Sequence, residues 1–137
     1  MSFEIAEQWL NSLAETANTK KLDEHMSLIS RKIRLYGVPG FETIGFDDWH
    51  RQCGYEFENN ILKSVQYEGL QLLEETNKAI RFRTFETVEG TDGIANAHGV
   101  EILLEHENDG YWRMVMQRIM SDEETAKTGV LPQYLQE

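Results

Sequence analysis

Apolar residues in the first part of the chain recur at intervals of three and four positions, which is the spacing of one face of an α-helix. The pattern predicts a first helix over about residues 3–17 and a shorter one over about 22–29. After Gly45 the same spacing returns over 46–57 and predicts a third helix. Its apolar stripe consists of Phe46, Trp49, Cys53 and Phe57.

The remaining segments alternate between apolar and polar positions, which is typical of half-buried strands. The predicted strands are 30–36, 61–75, 79–88, 97–106 and 111–120. Gly69 predicts a bend within the long second strand, because a missing side chain permits a bulge. In the last three strands the even-numbered residues form the more apolar face, so we expect them to point toward the helices.

Helices early in the chain and strands late in it predict an α+β fold. We expect the three N-terminal helices to pack on one face of a strongly curved, mixed or antiparallel sheet and to leave an internal pocket. The length of 137 residues suits one domain. Its core is predicted over about 3–120, and its short C-terminal tail over 121–137. The tail has capping-box spacing at Ser121–Glu124 and predicts one helical turn.

The charge balance excludes some partners. Acidic residues outnumber basic ones by 24 to 13, for a net charge of −11. No Lys/Arg cluster is present, so nucleic acid is not an expected partner. No apolar run approaches the ~18 residues that span a bilayer. The single cysteine, Cys53, and an N-terminus without signal-peptide features predict a soluble, cytoplasmic protein.

Three short segments resemble the nuclear-transport-factor-2-like superfamily, which includes the SnoaL-like polyketide cyclases and the ketosteroid isomerase-like proteins. They are IRLYGVPG at 33–40, GFDDW at 45–49 and NDGYWRM at 108–114. With the order of elements, the resemblance extends over about 3–120. It implies a sheet wrapped into a cone around the first helix, a pocket for a small apolar or weakly acidic molecule, and a homodimer.

The catalytic residues of known branches do not transfer to this sequence. The isomerase branch has an acid–base carboxylate at the end of the strand after the second helix, where this chain has Tyr36 and Gly37. The Asp–Arg–Asp cluster of the epoxide hydrolases has no clear match, since Arg81 and Arg83 are predicted on the outer face. The resemblance therefore implies the fold without implying a reaction.

Pairing the predicted strands with their apolar residues on one face suggests a polar end to the pocket. Glu86 then lies opposite His98, and Val100 lies beside Arg118. A carboxylate, an imidazole and a guanidinium beside an apolar cavity are able to bind a carbonyl or anionic ligand or to move a proton. We therefore take His98 and Glu86 as candidate catalytic residues and Arg118 as a candidate ligand-binding residue. An ordinary salt-bridged rim is the alternative.

Other candidate ligand-binding residues follow from the same arrangement. They are Tyr36, Trp49, Phe82, Thr84, Met114 and Met116. A tyrosine hydroxyl is a donor for a ligand carbonyl, and methionines form an adaptable apolar wall. Plain core packing is the alternative. The four histidines lack metal-binding spacing, so no metal or cofactor is expected. We also expect His25 on the surface.

The outer sheet face is predicted to hold an apolar patch of Phe85, Leu103 and Val115 inside a charged frame, which is typical of a dimer contact. A solvated face is the alternative. The sequence thus favours a small-molecule-binding domain. Two alternatives stay open: an isomerase, cyclase or dehydratase-like enzyme acting on a small apolar carbonyl or hydroxy compound, and a dimeric interaction module.

Overall fold

The computed structural model describes residues 2–135. Its helices are α1 (Ser2–Asn18), α2 (Leu22–Met26), α3 (Phe46–Glu58) and α4 (Asp122–Thr128), with a 3-10 turn at Gln133–Leu135. Its strands are β1 (Ile29–Tyr36), β2 (Leu62–Glu75), β3 (Ala79–Gly90), β4 (Ala95–His106) and β5 (Trp112–Ile119). Among the described helices, none is long and apolar enough to cross a membrane.

The strands form a five-stranded mixed sheet in the order β1-β5-β4-β3-β2. β1 runs parallel to β5, whereas the other neighbours are antiparallel. The helices pack against this sheet, which confirms the predicted α+β class. The β3–β4 pairing follows the predicted register, with Phe82 opposite Ile102 and Glu86 opposite His98.

The core lies between the N-terminal helices and one face of the sheet. Phe82, Ile102 and Met114 are fully buried there, which confirms the predicted inward phase of β3, β4 and the start of β5. Trp9 and Leu13 of α1 are buried as well. A continuous apolar face on each element removes this surface from water, and that burial is the main stabilising term of such a fold.

A β-bulge interrupts β5 and overturns part of the predicted register. Leu104 pairs with Met114 as expected, but Leu103 pairs with Met116, so Val115 is an extra residue on β5. One extra residue reverses the direction of every later side chain, because strand side chains alternate. Ile102 therefore lies opposite Gln117 rather than Met116.

The bulge also changes the last predicted pair, since Val100 lies opposite Ile119 and Arg118 lies opposite Glu101. The prediction that Met116 and Arg118 point inward was wrong. Strict alternation along β5 gives no sign of the extra residue. The register of β1 against β5 is irregular in the same region, between Ile29 and Arg34.

The C-terminal segment packs on the outer face of the sheet. Ser121 caps α4 by accepting a hydrogen bond from the Glu124 amide at 3.1 Å, as its capping-box spacing predicts. Thr125 Oγ1 accepts from the Gly99 amide at 3.0 Å. A Cβ on Gly99 would lie 2.9 Å from the Met120 sulfur, so the absence of a side chain permits this close approach.

The predicted apolar patch on the outer face is largely covered within one chain. Phe85 lies opposite Gly99, where the C-terminal segment packs, and is 2% exposed. Val115, at the bulge, is 8% exposed. The prediction that both residues are exposed was wrong, because the sequence pattern of the sheet does not reveal where the tail folds.

Candidate ligand-binding site

A cavity of about 310 Å³ lies between the helices and the inner face of the sheet. We call it the inner cavity. Apolar side chains form much of its wall, among them Leu13, Leu35, Trp49, Phe57, Val65 and Ile119. Its polar lining comes from His25, Cys53, Glu56, Tyr67, Glu86 and Gln117. An apolar wall with a few polar groups is the usual composition of a small-molecule site.

A second depression of about 550 Å³, the outer groove, lies between α3 and the loop that follows β1. It shares Leu35, Trp49 and Cys53 with the inner cavity. The loop begins at Gly37, whose φ of +91° favours glycine. A Cβ at Gly37 would clash with the backbone carbonyl oxygen of Ile119. The loop is therefore held tightly against the end of β5, beside the cavity.

A hydrogen-bonded group of three side chains lies at one side of the cavity, and two of its members, Tyr67 and Glu86, line the wall. The Tyr67 hydroxyl donates to Glu86 Oε2 at 2.8 Å. His98 Nε2 lies 3.0 Å from Glu86 Oε1. An ionised carboxylate only accepts hydrogen bonds, so His98 Nε2 holds the proton whenever Glu86 is ionised. Burial, and then the nearby Glu86, raise the pKa of Tyr67 well above its usual value, which keeps its hydroxyl protonated.

The sequence reasoning missed Tyr67, whose partner Glu86 it had placed correctly. Tyr67 lies opposite Glu86 on β2, and the bulge near Gly69 sets the phase of that strand. Thr84 fixes this bulge, because its hydroxyl bonds to the backbone carbonyls of Glu68 and Gly69. An alternating pattern through Val65 and Tyr67 was the available signal.

His25 also lines the cavity, although we expected it on the surface. Its side chain is 6% exposed, and its Nδ1 lies 2.8 Å from Thr16 Oγ1. Burial lowers the pKa of His25 to about 4, and a hydrogen bond to the Leu13 backbone opposes that shift. The imidazole is therefore neutral near pH 7. Its position three residues after Leu22, on the same apolar stripe, was the sequence signal.

Gln117 enters the cavity because of the bulge at Val115. It is 4% exposed and lines the cavity wall. Its neighbour on β1 is Leu35, which lines the cavity too. Within residues 2–135, the Gln117 side-chain amide has no hydrogen-bond partner. Among the described side chains, Arg83 Nε is the one N or O atom that is both fully buried and unpaired, so the Gln117 amide atoms are not fully buried and face the cavity space.

Arg118 does not join Glu86 and His98, so the predicted group of three does not form. Arg118 lies on the outer face, where its Nη2 is 2.9 Å from Glu101 Oε1 and its Nη1 is 2.7 Å from Glu124 Oε1. Hydrogen bonds to Glu124 and Glu101 raise the pKa of Arg118. Burial alone would raise the pKa of Glu101, but bonds from Arg118 and Arg81 outweigh that effect and lower it. This network attaches α4 to the sheet.

The other predicted ligand-binding residues divide between the cavity, the core and the outer face. Trp49 lines both the inner cavity and the outer groove. Phe82, Thr84 and Met114 are fully buried in the sheet core and are not among the residues that line the cavity. Tyr36 pairs with Arg118 in the parallel register and is 42% exposed. Tyr36 thus lies outside the cavity, and Leu35 takes the position expected for it.

Cys53 contributes an unreactive thiol to the wall. Burial raises its pKa to about 12, with Glu56 acting in the same direction and a hydrogen bond from Trp49 opposing them. The thiol is protonated at neutral pH, which does not suit a nucleophile. Across residues 2–135, no group of three or more His, Cys, Asp or Glu side chains is arranged to hold a metal ion.

No protein-family model and no curated protein matches this sequence. Solved structures do match. A provisionally assigned scytalone dehydratase from Novosphingobium aromaticivorans has a TM-score of 0.71 at 10% identity, covering 85% of this chain and 81% of its own. An NTF-2-like protein of unknown function from Shewanella oneidensis has a TM-score of 0.70 at 17% identity, with 88% and 100% covered.

A third similar structure is a protein of unknown function with a cystatin-like fold from Nostoc punctiforme. Its TM-score is 0.64 at 9% identity, covering 83% of this chain and 86% of its own. Together these likenesses show that the chain has the NTF2-like, SnoaL-like cone fold. At such low identity they assign the fold and no function.

Proposed function

We propose that this chain is a small-molecule-binding domain whose ligand occupies the inner cavity. The observation that supports this most is the cavity itself, about 310 Å³ in volume with an apolar wall and the bonded pair Tyr67–Glu86 on one side. Ligand sites commonly measure about 300–1,000 Å³. The cavity therefore suits a compact molecule of about one or two rings, and the outer groove is the adjoining route of entry.

A nuclear magnetic resonance experiment tests this proposal directly. The chain has three tryptophans, Trp9, Trp49 and Trp112, whose indole N–H groups give separate signals. We expect compact ring compounds to shift the Trp49 signal, because Trp49 lines both the cavity and the groove. Trp9 is the internal control, since it donates to the Leu28 carbonyl within the core. A library of such compounds that leaves Trp49 unmoved would count against the proposal.

Acid–base catalysis is a second candidate function, and the position of Glu86 favours it. Glu86 lines the cavity, while its two oxygens bond to Tyr67 and His98. A carboxylate held this way accepts a proton from carbon or oxygen of a ligand and becomes a neutral carboxyl group, while the negative charge passes to the ligand. The corresponding reaction class is isomerisation, cyclisation or dehydration of a small carbonyl or hydroxy compound.

Deuterium exchange separates binding from catalysis. A bound ketone incubated in heavy water should exchange its α-protons faster than in buffer alone if Glu86 acts as a base. The Glu86→Gln variant keeps the shape of the side chain and should lose the exchange while it retains binding. Wild-type exchange at the buffer rate would reject the enzyme candidate and leave the binding proposal standing.

Homodimer formation through the outer sheet face and a cytoplasmic location stay predictions. Burial of Phe85 and Val115 within one chain reduces the apolar area which that face offers. Light scattering at increasing concentration measures the mass in solution. A dimer that persists when Leu103 is changed to Asp would place the contact elsewhere.

A further inference from the structure

We propose that Gln117 is the specificity-determining residue of the inner cavity and that it selects neutral hydroxy-carbonyl compounds over carboxylates. This inference rests on the proposed binding function and names the ligand class. It follows from what the bulge at Val115 does to β5, because the bulge places an uncharged amide in the cavity wall and turns the guanidinium of Arg118 to the outer face.

Gln117 presents an unused polar group to the cavity. The Gln117 side chain is 4% exposed, and within residues 2–135 its amide has no hydrogen-bond partner. The amide atoms are not among the fully buried unpaired atoms of residues 2–135, and the residue lines the cavity, so the amide faces the cavity space. A polar group that faces a pocket and has no protein partner is suited to a hydrogen bond with a ligand.

The cavity wall has acidic side chains and no basic ones of the Lys or Arg type among the described residues. The acidic side chains are those of Glu56 and Glu86. His25 is neutral near pH 7, because burial lowers its pKa to about 4. A carboxylate ligand would thus lose its hydration shell without gaining a cation. The cavity therefore disfavours anions.

The hydrogen-bond donors and acceptors of the cavity wall are complementary to a neutral hydroxy-carbonyl compound. The Tyr67 proton is directed to Glu86, so both side chains present accepting lone pairs to a ligand. These acceptors suit a ligand hydroxyl. The Gln117 amide supplies N–H donors, which suit a ligand carbonyl. A neutral molecule with one hydroxyl and one carbonyl group on an apolar ring uses both.

Matched pairs of probes test this inference. The first pair is 4-hydroxyacetophenone and 4-hydroxybenzoate, which have the same ring and nearly the same size but differ in charge at neutral pH. Further pairs replace the ring while keeping a methyl ketone or a carboxylate. Calorimetry on the full chain should give at least about tenfold tighter binding of the ketone in the pair that binds best.

Two variants separate Gln117 from the cavity as a whole. Gln117→Leu should weaken ketone binding by about tenfold and should leave the melting temperature equal to or above that of the wild type, because no hydrogen bond is lost. Gln66→Leu is the matched control, since Gln66 is an exposed residue of β2, and it should leave ketone affinity unchanged.

Each outcome bears on a different claim. Ketone binding that survives Gln117→Leu, or a carboxylate that binds the wild type as tightly as its ketone, would overturn the assignment of Gln117 and leave the proposed function intact. A marked drop in melting temperature for Gln117→Leu would also overturn it, by giving the amide a structural role. Failure of every pair to bind the wild type would overturn this inference and the binding proposal together.

Discussion

Lowering the pH from 7 to 5 should destabilise this protein through one buried histidine. His25 is 6% exposed, and burial lowers its pKa from 6.5 to about 4. Between these two values the unfolded chain binds a proton that the folded chain does not. Stability therefore falls as the pH decreases through this window and is fully retained above it.

The size of the effect follows from the two pKa values. A group with a pKa of 6.5 in the unfolded state and about 4 in the folded state lowers the free energy of unfolding by about 2 kcal/mol at pH 5 and by very little at pH 7. For a domain with a free energy of unfolding of about 5–15 kcal/mol, this loss is large enough to measure.

Urea denaturation at pH 7 and pH 5 provides the assay, with the same measurement on His25→Gln. The variant keeps a polar partner for Thr16 Oγ1, which lies 2.8 Å from His25 Nδ1. The pH-dependent loss should be about 2 kcal/mol smaller in the variant than in the wild type. His50→Gln is the control, since His50 is exposed. Equal pH dependence in the wild type and His25→Gln would refute the reasoning.

Three further predictions concern stability and use the same urea assay. Gly37→Ala should lower the free energy of unfolding by at least about 3 kcal/mol, whereas Gly40→Ala should lower it by about 1 kcal/mol. Both glycines have positive φ, but only a Cβ at Gly37 would clash with backbone atoms. Equal losses in the two variants would contradict this. Glu101→Gln should lower the free energy of unfolding by about 2–3 kcal/mol, because it weakens the bonds to Arg81 and Arg118. Glu105→Gln, which removes a more exposed ion pair, should change it by no more than about 0.5 kcal/mol. An unchanged free energy of unfolding in Glu101→Gln would show that this network does not hold α4 on the sheet. Gln117→Leu without ligand should leave the free energy of unfolding equal to that of the wild type or raise it by up to about 1 kcal/mol, because no hydrogen bond is lost; a loss above about 1 kcal/mol would contradict its unpartnered state.

Much of the fold is encoded in periodicity that is readable along the chain. Alternation places Phe82 and Ile102 inward, and the same alternation sets Glu86 opposite His98. These two strands are regular, so one phase holds along their length. In such strands a pairing argument also finds the polar partners, which is why Glu86 was correctly predicted to lie opposite His98.

The side chains of β5 and the path of the tail depend on irregularities that no period reveals. Because of the bulge at Val115, Gln117 lies in the cavity wall where strict alternation predicts Arg118. Both residues are polar and adjacent in the sequence, so the sequence alone does not distinguish which of them faces inward. Packing of the tail over Phe85 is likewise a long-range contact, and local patterns do not encode it.

The position of a bound ligand tests the account most directly. An isotope-edited nuclear Overhauser experiment on the protein with a bound neutral hydroxyketone records which side-chain protons lie near it. We predict contacts from the ligand to the Gln117 side-chain amide and to the Trp49 indole. Contacts to the Arg118 guanidinium, without any to Gln117, would contradict both the orientation of β5 and the site built on it.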